Sequence, residues 1–163
     1  MYRFRVEIRI EAPIERCFDL ARSMDLHVES AAGTGERIVD GVSSGLLGPG
    51  DEVTFEARHF GVRQRLTSRI VAYDRPRHFR DSAVRSAFRS MDHDHRFEAE
   101  SPDVTLMVDV VTFAAPFGPI GWLAERLLLG WYLKRFIRQR GEEIKRVAES
   151  EMWRTYIEPA QCM

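Results

Sequence analysis

Two histidines two residues apart, in "MDHDHRF" (residues 91–97), are the side chains of this chain best suited to chemistry. An imidazole titrates near neutrality, passes protons and ligates transition metals. On a strand, alternate residues share a face, so Met91, His93, His95, Phe97 and Ala99 fall together. Asp92, Asp94, Arg96 and Glu98 fall on the other face, which is entirely charged and therefore expected to meet solvent. The histidines are then expected to point inward, and the neighbouring aspartates are excluded as their close partners.

A buried imidazole needs a polar partner. The turn signal "AESPDV" follows, and a hairpin closed by Glu100 and Val104 sets His95 opposite Asp109 and His93 opposite Val111. Asp109 stands inside the apolar run "TLMVDVVTF", an odd place for an acid unless something pairs with it. A register slip of one residue would turn it to the opposite face, and a diagonal reach to His93 is the alternative pairing. Asp81 shares strand parity with Phe79 and is assigned to the same inward group. A strand-end acid in solvent is its plainer reading.

Three readings of this cluster stay open. In the first, the carboxylate fixes the imidazole tautomer in a buried polar network that lines a ligand pocket. In the second, His95 is an acid–base catalyst oriented by Asp109, with His93 a further candidate. In the third, two imidazoles and a carboxylate hold zinc or iron. A His-x-His pair without a third ligand at known spacing is a weak metal signal, so no metal and no cofactor is assigned. His59 and His78 read as surface or rim residues.

The elements that must position these groups are legible from periodicity. Residues 2–11 alternate apolar and charged side chains, a half-buried strand. "APIERCFDLAR" follows with a proline suited to a first helical turn, and a second short helix fits residues 24–30. "ERIVDG", "EVTFEARHF", "VRQRLTSRIVAY", "RPRHFRDSAV", "MDHDHRFEAE" and "VTLMVDVVTFA" read as strands joined by turns, with a hairpin about Gly61. From Gly118 the period becomes helical, to about Ser150. Strands in hairpin succession, apart from the helices, predict an α+β fold. Its form is a curved antiparallel sheet of six to seven strands gripping a long C-terminal helix, with two short helices after the first strand. Residues 1–163 are expected to form one such domain. A helix lying across a curved sheet leaves a cavity, and Trp122, Leu127 and Trp131 are assigned to its wall beside Asp81, Met91, His93, His95, Phe97 and Asp109. The helix is apolar around most of its girth, which also suits a homodimer or partner interface. Gly118 and Gly121, with Pro116 and Pro119, form either a hinge at the helix entrance or a rigid turn.

Composition closes off other classes. The chain has 163 residues, 44% hydrophobic and 30% charged, with a net charge of −1. That balance is globular and offers no field for nucleic acid. The apolar "WLAERLLLGWYL" carries Glu125 and Arg126 and is too short to span a bilayer. No signal peptide is read at the start, so a cytoplasmic location is expected. Cys17 and Cys162 have neither metal-ligand spacing nor a disulfide framework. No nucleophile elbow, P-loop or dinucleotide fingerprint occurs, and "GLLGPG" leads into a strand rather than a helix.

This arrangement resembles the START-like helix-grip superfamily, also called SRPBCC. Phe79 with Asp81, the His93-x-His95-x-Phe97 run, Thr105 with Asp109, and Pro116-Phe117-Gly118 are similar to a bacterial ligand-binding SRPBCC subgroup. The resemblance covers nearly the whole chain. It implies binding of a small hydrophobic or amphipathic molecule, such as a lipid, sterol or polyketide, under the long helix. It implies as an alternative a polyketide cyclase or dehydratase that uses the His–Asp pair. A third reading is an interaction module built on the aromatic helix. Where the subgroup commonly has a glycine and an aromatic before the histidines, this chain has Ser86-Ala87-Phe88 and Met91, so ligand identity does not carry over.

Overall fold

The computed structural model describes residues 1–157, and Cys162 lies outside them. Strand β1 (Tyr2–Ile10) is followed by helices α1 (Ile14–Ala21) and α2 (Met24–Ser30) and a short 3-10 turn, Ala32–Thr34. Strands β2 (Arg37–Gly41), β3 (Glu52–His59), β4 (Val62–Asp74), β5 (His78–Arg85), β6 (Ser90–Ser101) and β7 (Val104–Ala114) come next. Helix α3 (Gly118–Ala124), a wide π turn (Glu125–Leu129) and α4 (Gly130–Ala148) form the long C-terminal helix, and α5 (Trp153–Ile157) ends the described residues.

All seven strands join one antiparallel sheet in the order β1-β7-β6-β5-β4-β3-β2. This is the α+β helix-grip architecture expected from the strand and helix periods. Hairpins place sequential strands side by side, and β1 closes the order by pairing with β7 across the chain. Irregular steps in β2, β4 and β6 interrupt the ladders, and such bulges bend a strand and curve the sheet. At the β3–β4 turn Phe60 and Gly61 both take positive φ, 53° and 75°, the conformation of a tight two-residue hairpin.

Strand β1 alternates as its sequence requires, with Phe4, Val6, Ile8 and Ile10 buried and the intervening charges exposed. Phe18 of α1 is fully buried and meets Phe79, Phe97 and Tyr73 edge-on, at 5.3, 5.4 and 5.5 Å between ring centres. Burying an aromatic or aliphatic side chain of this size contributes about 1.5–3 kcal/mol. The Thr105 hydroxyl donates to the Ala12 carbonyl at 2.8 Å, fastening β7 to the approach of α1. Cys17, buried beside it, has its thiol pushed up to about 11 by burial, which keeps it protonated and inert.

Glycine sets how the long helix lies. A side-chain carbon at Gly130 would stand 2.5 Å from the Tyr2 ring, and one at Gly141 would stand 2.3 Å from Ile8 Cδ1. The helix therefore rests closely on β1, with Gly121, Glu125, Gly130, Ile137, Gly141, Ile144 and Ala148 on its buried side. The π turn makes the step from Glu125 to Gly130 five residues long, keeping both on that side. In the sequence Glu125 reads as a charge interrupting an apolar run. It is instead buried, and its carboxylate accepts the Ala115 N–H at 2.6 Å, which holds the entrance of α3 to the end of β7.

Candidate functional site

Strands β5, β6 and β7 lie side by side with Asp81 opposite His93, Phe79 opposite His95, and His95 opposite Asp109. The pairing of His95 with Asp109 and His93 with Val111 is the one expected, although the hairpin closes at Ser101–Val104 rather than Glu100–Val104 and a bulge at Glu100 makes up the difference. His93 and His95 both point inward and are 5% and 3% exposed. Asp109 serves both rings: its Oδ1 lies 2.8 Å from His93 Nε2 and 3.0 Å from His95 Nδ1. The cross-strand and diagonal pairings, alternatives from the sequence, are thus made together. Asp81 completes the group, with Oδ2 at 2.9 Å from His95 Nε2 and 3.8 Å from His93 Nδ1. Ser68 of β4 donates to the other Asp81 oxygen at 2.8 Å.

The electrostatics follow from these bonds. Burial pulls the His95 pKa down, but hydrogen bonds to Asp109 and Asp81 outweigh it and raise it. A ring that donates from both nitrogens to carboxylates is an imidazolium. His93 goes the other way, lowered by burial and by the neighbouring His95 charge against the opposing pull of Asp109. Burial acts to raise both carboxyls, yet the histidine hydrogen bonds and charges hold Asp81 and Asp109 well below the usual carboxylate range. The Phe79 ring stacks on His95 with centres 4.1 Å apart, and the His93 ring lies tilted against His95 at 3.7 Å.

Asp81 and His95 form part of the wall of a cavity between the sheet, the first helices and α4. Met24, Leu47, Phe55, Ile70 and Phe79 supply its apolar surface, and His27 and Arg140 its remaining nitrogen-bearing groups. The cavity measures about 30 Å³, room for roughly two water molecules. His27 stacks on Phe55 at 4.5 Å, and its Nε2 lies 2.6 Å from Glu36 Oε1. Burial and the Arg140 charge lower the His27 pKa against the pull of Glu36, so the ring is neutral and donates to that carboxylate. Its Nδ1 is buried without a partner among the described residues. Arg140 donates to the Ala21 carbonyl at 3.2 Å and forms no ion pair within 4.0 Å among the described residues. Sequence reading missed His27, Glu36, Ser68 and Arg140. Arg140 was findable, since it lies three residues after Ile137 and four before Ile144 on the inward side of the helix.

Other expected site residues lie elsewhere. Phe97 is buried against Phe18 in the core, and Met91 is half-buried beside Phe113. Trp122, Leu127 and Trp131 are 50%, 72% and 60% exposed and do not reach the cavity. The glycine face of the helix takes the place against the sheet that their apolar character suggested for them. Asp94, expected in solvent, does lie on the outer face but is 6% exposed, covered by cross-strand bonds from His78 at 2.7 Å and Arg80 at 2.9 Å. His59 is half-buried and meets the Tyr132 hydroxyl at 2.6 Å.

The curved sheet, the grip of the long helix and the cavity between them are the observations that decide the fold. The chain has the START-like helix-grip fold. It superposes on TTHA0849 from Thermus thermophilus with a TM-score of 0.72 and 18% identity over 89% of this chain and 95% of that one. A START superfamily protein from Mycobacterium smegmatis matches at 0.67 with 8% identity, covering 90% and 99%. The Zhui aromatase/cyclase from Streptomyces sp. R1128 matches at 0.65 with 14% identity, covering 90% and 95%. No protein-family model and no curated protein matches the chain. Among the described residues no helix of this helix-grip chain is long and apolar enough to cross a membrane.

Proposed function

We propose that this protein binds a small hydrophobic or amphipathic molecule between the sheet and α4. The observation that carries this is a cavity with apolar walls whose polar atoms are left short of partners. His27 Nδ1 is buried with no donor, and Arg140 has no counter-ion within 4.0 Å among the described residues. Burying such groups costs about 1–3 kcal/mol each unless something satisfies them. A ligand hydroxyl donating to His27 and an oxygen accepting from Arg140 would do so, with Asp81 orienting the same polar end. Ligand pockets commonly enclose about 300–1,000 Å³, far above the present cavity, so binding requires α4 and the sheet to separate. Native mass spectrometry of gently purified protein tests this, with a co-purified apolar mass expected on the wild type and lost in Arg140→Leu. Repeated absence of any bound mass, together with no uptake of a fluorescent apolar probe, counts against it.

A second reading, a polyketide cyclase or dehydratase-like reaction in the same cavity, is favoured by the coupling of Asp81 to His95. His95 is 4% exposed at its side chain and Asp81 28%, so the group that meets a substrate is Asp81. His95 then supplies the proton and Asp109 positions His95. Under this reading His95→Ala abolishes turnover of a polyketide-like substrate while binding survives. Equal loss of both assigns the residue to the pocket alone.

A third reading, an interaction module, rests on the outer side of the helix. Ile120, Trp122, Leu123, Leu127, Leu128 and Trp131 are 46–77% exposed along one stretch. A second copy of the chain is the partner proposed. Light scattering shows a dimer under this reading, and a monomer for Trp131→Glu. A wild-type monomer at all concentrations removes it.

A further inference from the structure

Ring nitrogens and carboxylate oxygens converge where Asp81 and His95 form the cavity wall, with His93 and Asp109 behind them. Asp109 Oδ1 occupies the outer nitrogens of both rings, Nε2 of His93 and Nδ1 of His95. The inner nitrogens, His93 Nδ1 and His95 Nε2, are thereby turned towards Asp81 Oδ2, at 3.8 and 2.9 Å. His93 Nδ1 takes part in no hydrogen bond among the described residues and faces a carboxylate oxygen across this gap. One nitrogen or oxygen from each of Asp81, His93 and His95 lies within 4.8 Å of the others. Donors bound at about 2.0–2.1 Å to one zinc ion stand roughly 3–3.5 Å apart. The two measured separations bracket that range.

We infer that Asp81, His93 and His95 form a binding site for a divalent transition-metal ion of the zinc or ferrous class. Two imidazoles and one carboxylate are the donor set such ions take, with remaining positions open. The open side is the cavity, because Asp81 and His95 line it. Asp109 has the place of the outer carboxylate that holds ligating imidazoles in the right tautomer and orientation. Entry of the ion replaces the hydrogen between His95 Nε2 and Asp81 Oδ2, and that proton leaves to solvent. Arg140 is the opposing cation on the cavity wall. It stands beyond 4.0 Å from either carboxylate, and Asp81 and Asp109 together outnumber it in charge. The site deepens the ligand-binding reading, since a bound ion would meet the polar end of a ligand. It does not depend on any organic ligand being present.

Chelator-treated protein titrated with Zn²⁺ alone by calorimetry, and with Co²⁺ alone by visible absorption, tests it. One ion per chain and a Co²⁺ ligand-field spectrum are expected. Asp81→Ala is expected to abolish the one-to-one binding. Asp109→Asn, at a positioning residue, is expected to weaken it about 10–100-fold while keeping the stoichiometry and the spectrum. His78→Gln, on the outer face, leaves the affinity unchanged. Circular dichroism checks that each variant is folded. Should Asp81→Ala not fold, Asp81→Asn is expected to lose at least as much affinity as Asp109→Asn. No stoichiometric ion on the wild type, or a Zn²⁺ affinity that Asp81 substitution does not change, overturns the site. Since only the metal is added, failure here leaves the organic-ligand test intact, and the reverse holds.

Discussion

On the outer face of β5 and β6, Asp94 accepts from His78 and from both arms of Arg80. On the inner face of the same two strands, Asp81 accepts from His95 and faces His93. The residue types are nearly the same, and the surroundings differ. Arg80 is 41% exposed and His78 29%, so water shares in the outer cluster and screens it. The inner side chains of His93 and His95 are 6% and 4% exposed, and their ring nitrogens meet protein carboxylates. An outer cluster therefore ties strands together at small net gain. The inner one is costly to break and chemically usable, because its two rings and Asp109 are shut away from water while Asp81 opens to the cavity.

The two faces should differ most in Asp109→Ala, which leaves two buried rings without their shared acceptor. A loss of about 3–5 kcal/mol in chemical denaturation is expected. Asp94→Ala removes the equivalent acceptor outside and is expected to cost about 1 kcal/mol or less. Equal losses for the two would show that burial does not separate the faces. His27, on the inner side, gives a pH test. Its folded pKa is lowered by burial, so the unfolded chain takes up the proton first as pH falls. The neutral ring's stabilisation is present above about pH 6.5 and is lost as pH falls through the unfolded value towards the folded one. Glu36, pushed up by burial but held lower overall by its bond to His27, loses its share in the same direction below the ordinary carboxylate range. Unfolding free energy should therefore fall on acidification below about pH 6.5, and His27→Gln should flatten that slope. The smallest effect is expected from Trp131→Ser on the exposed side of the helix, within about 0.5 kcal/mol by thermal denaturation.

Much of the His–Asp cluster is legible in the sequence. Alternation along 91–99 separated His93 and His95 from Asp92 and Asp94, and that needs only a period of two. The pairing of His95 with Asp109 needed more: the hairpin closes at Ser101–Val104, and the bulge at Glu100 shifts the ladder by one residue to bring the two together. Asp81 needed one more strand: its parity with Phe79 allowed an inward place, a strand-end acid in solvent fitted the sequence as well, and the β5–β6 pairing with His93 decided between them. Trp122, Leu127 and Trp131 went astray because an apolar pattern running around most of a helix does not say how the helix is turned. Glycine decided that, by allowing backbone to approach Tyr2 and Ile8 where a larger residue would collide. The π turn then shifted the phase of everything before Gly130.

The amino-acid order by itself determined the strands, the alternation of their faces and the long helix, because each follows from neighbours within a few residues, while the β6–β7 register also took the bulge at Glu100. The convergence of His27 from α2, Arg140 from α4 and Asp81 from β5 on one small cavity was decided only by the tertiary structure. The pairing of β1 with β7 and the seating of the helix on β1 bring these distant segments together. Such contacts depend on how whole elements pack, and no local period encodes that.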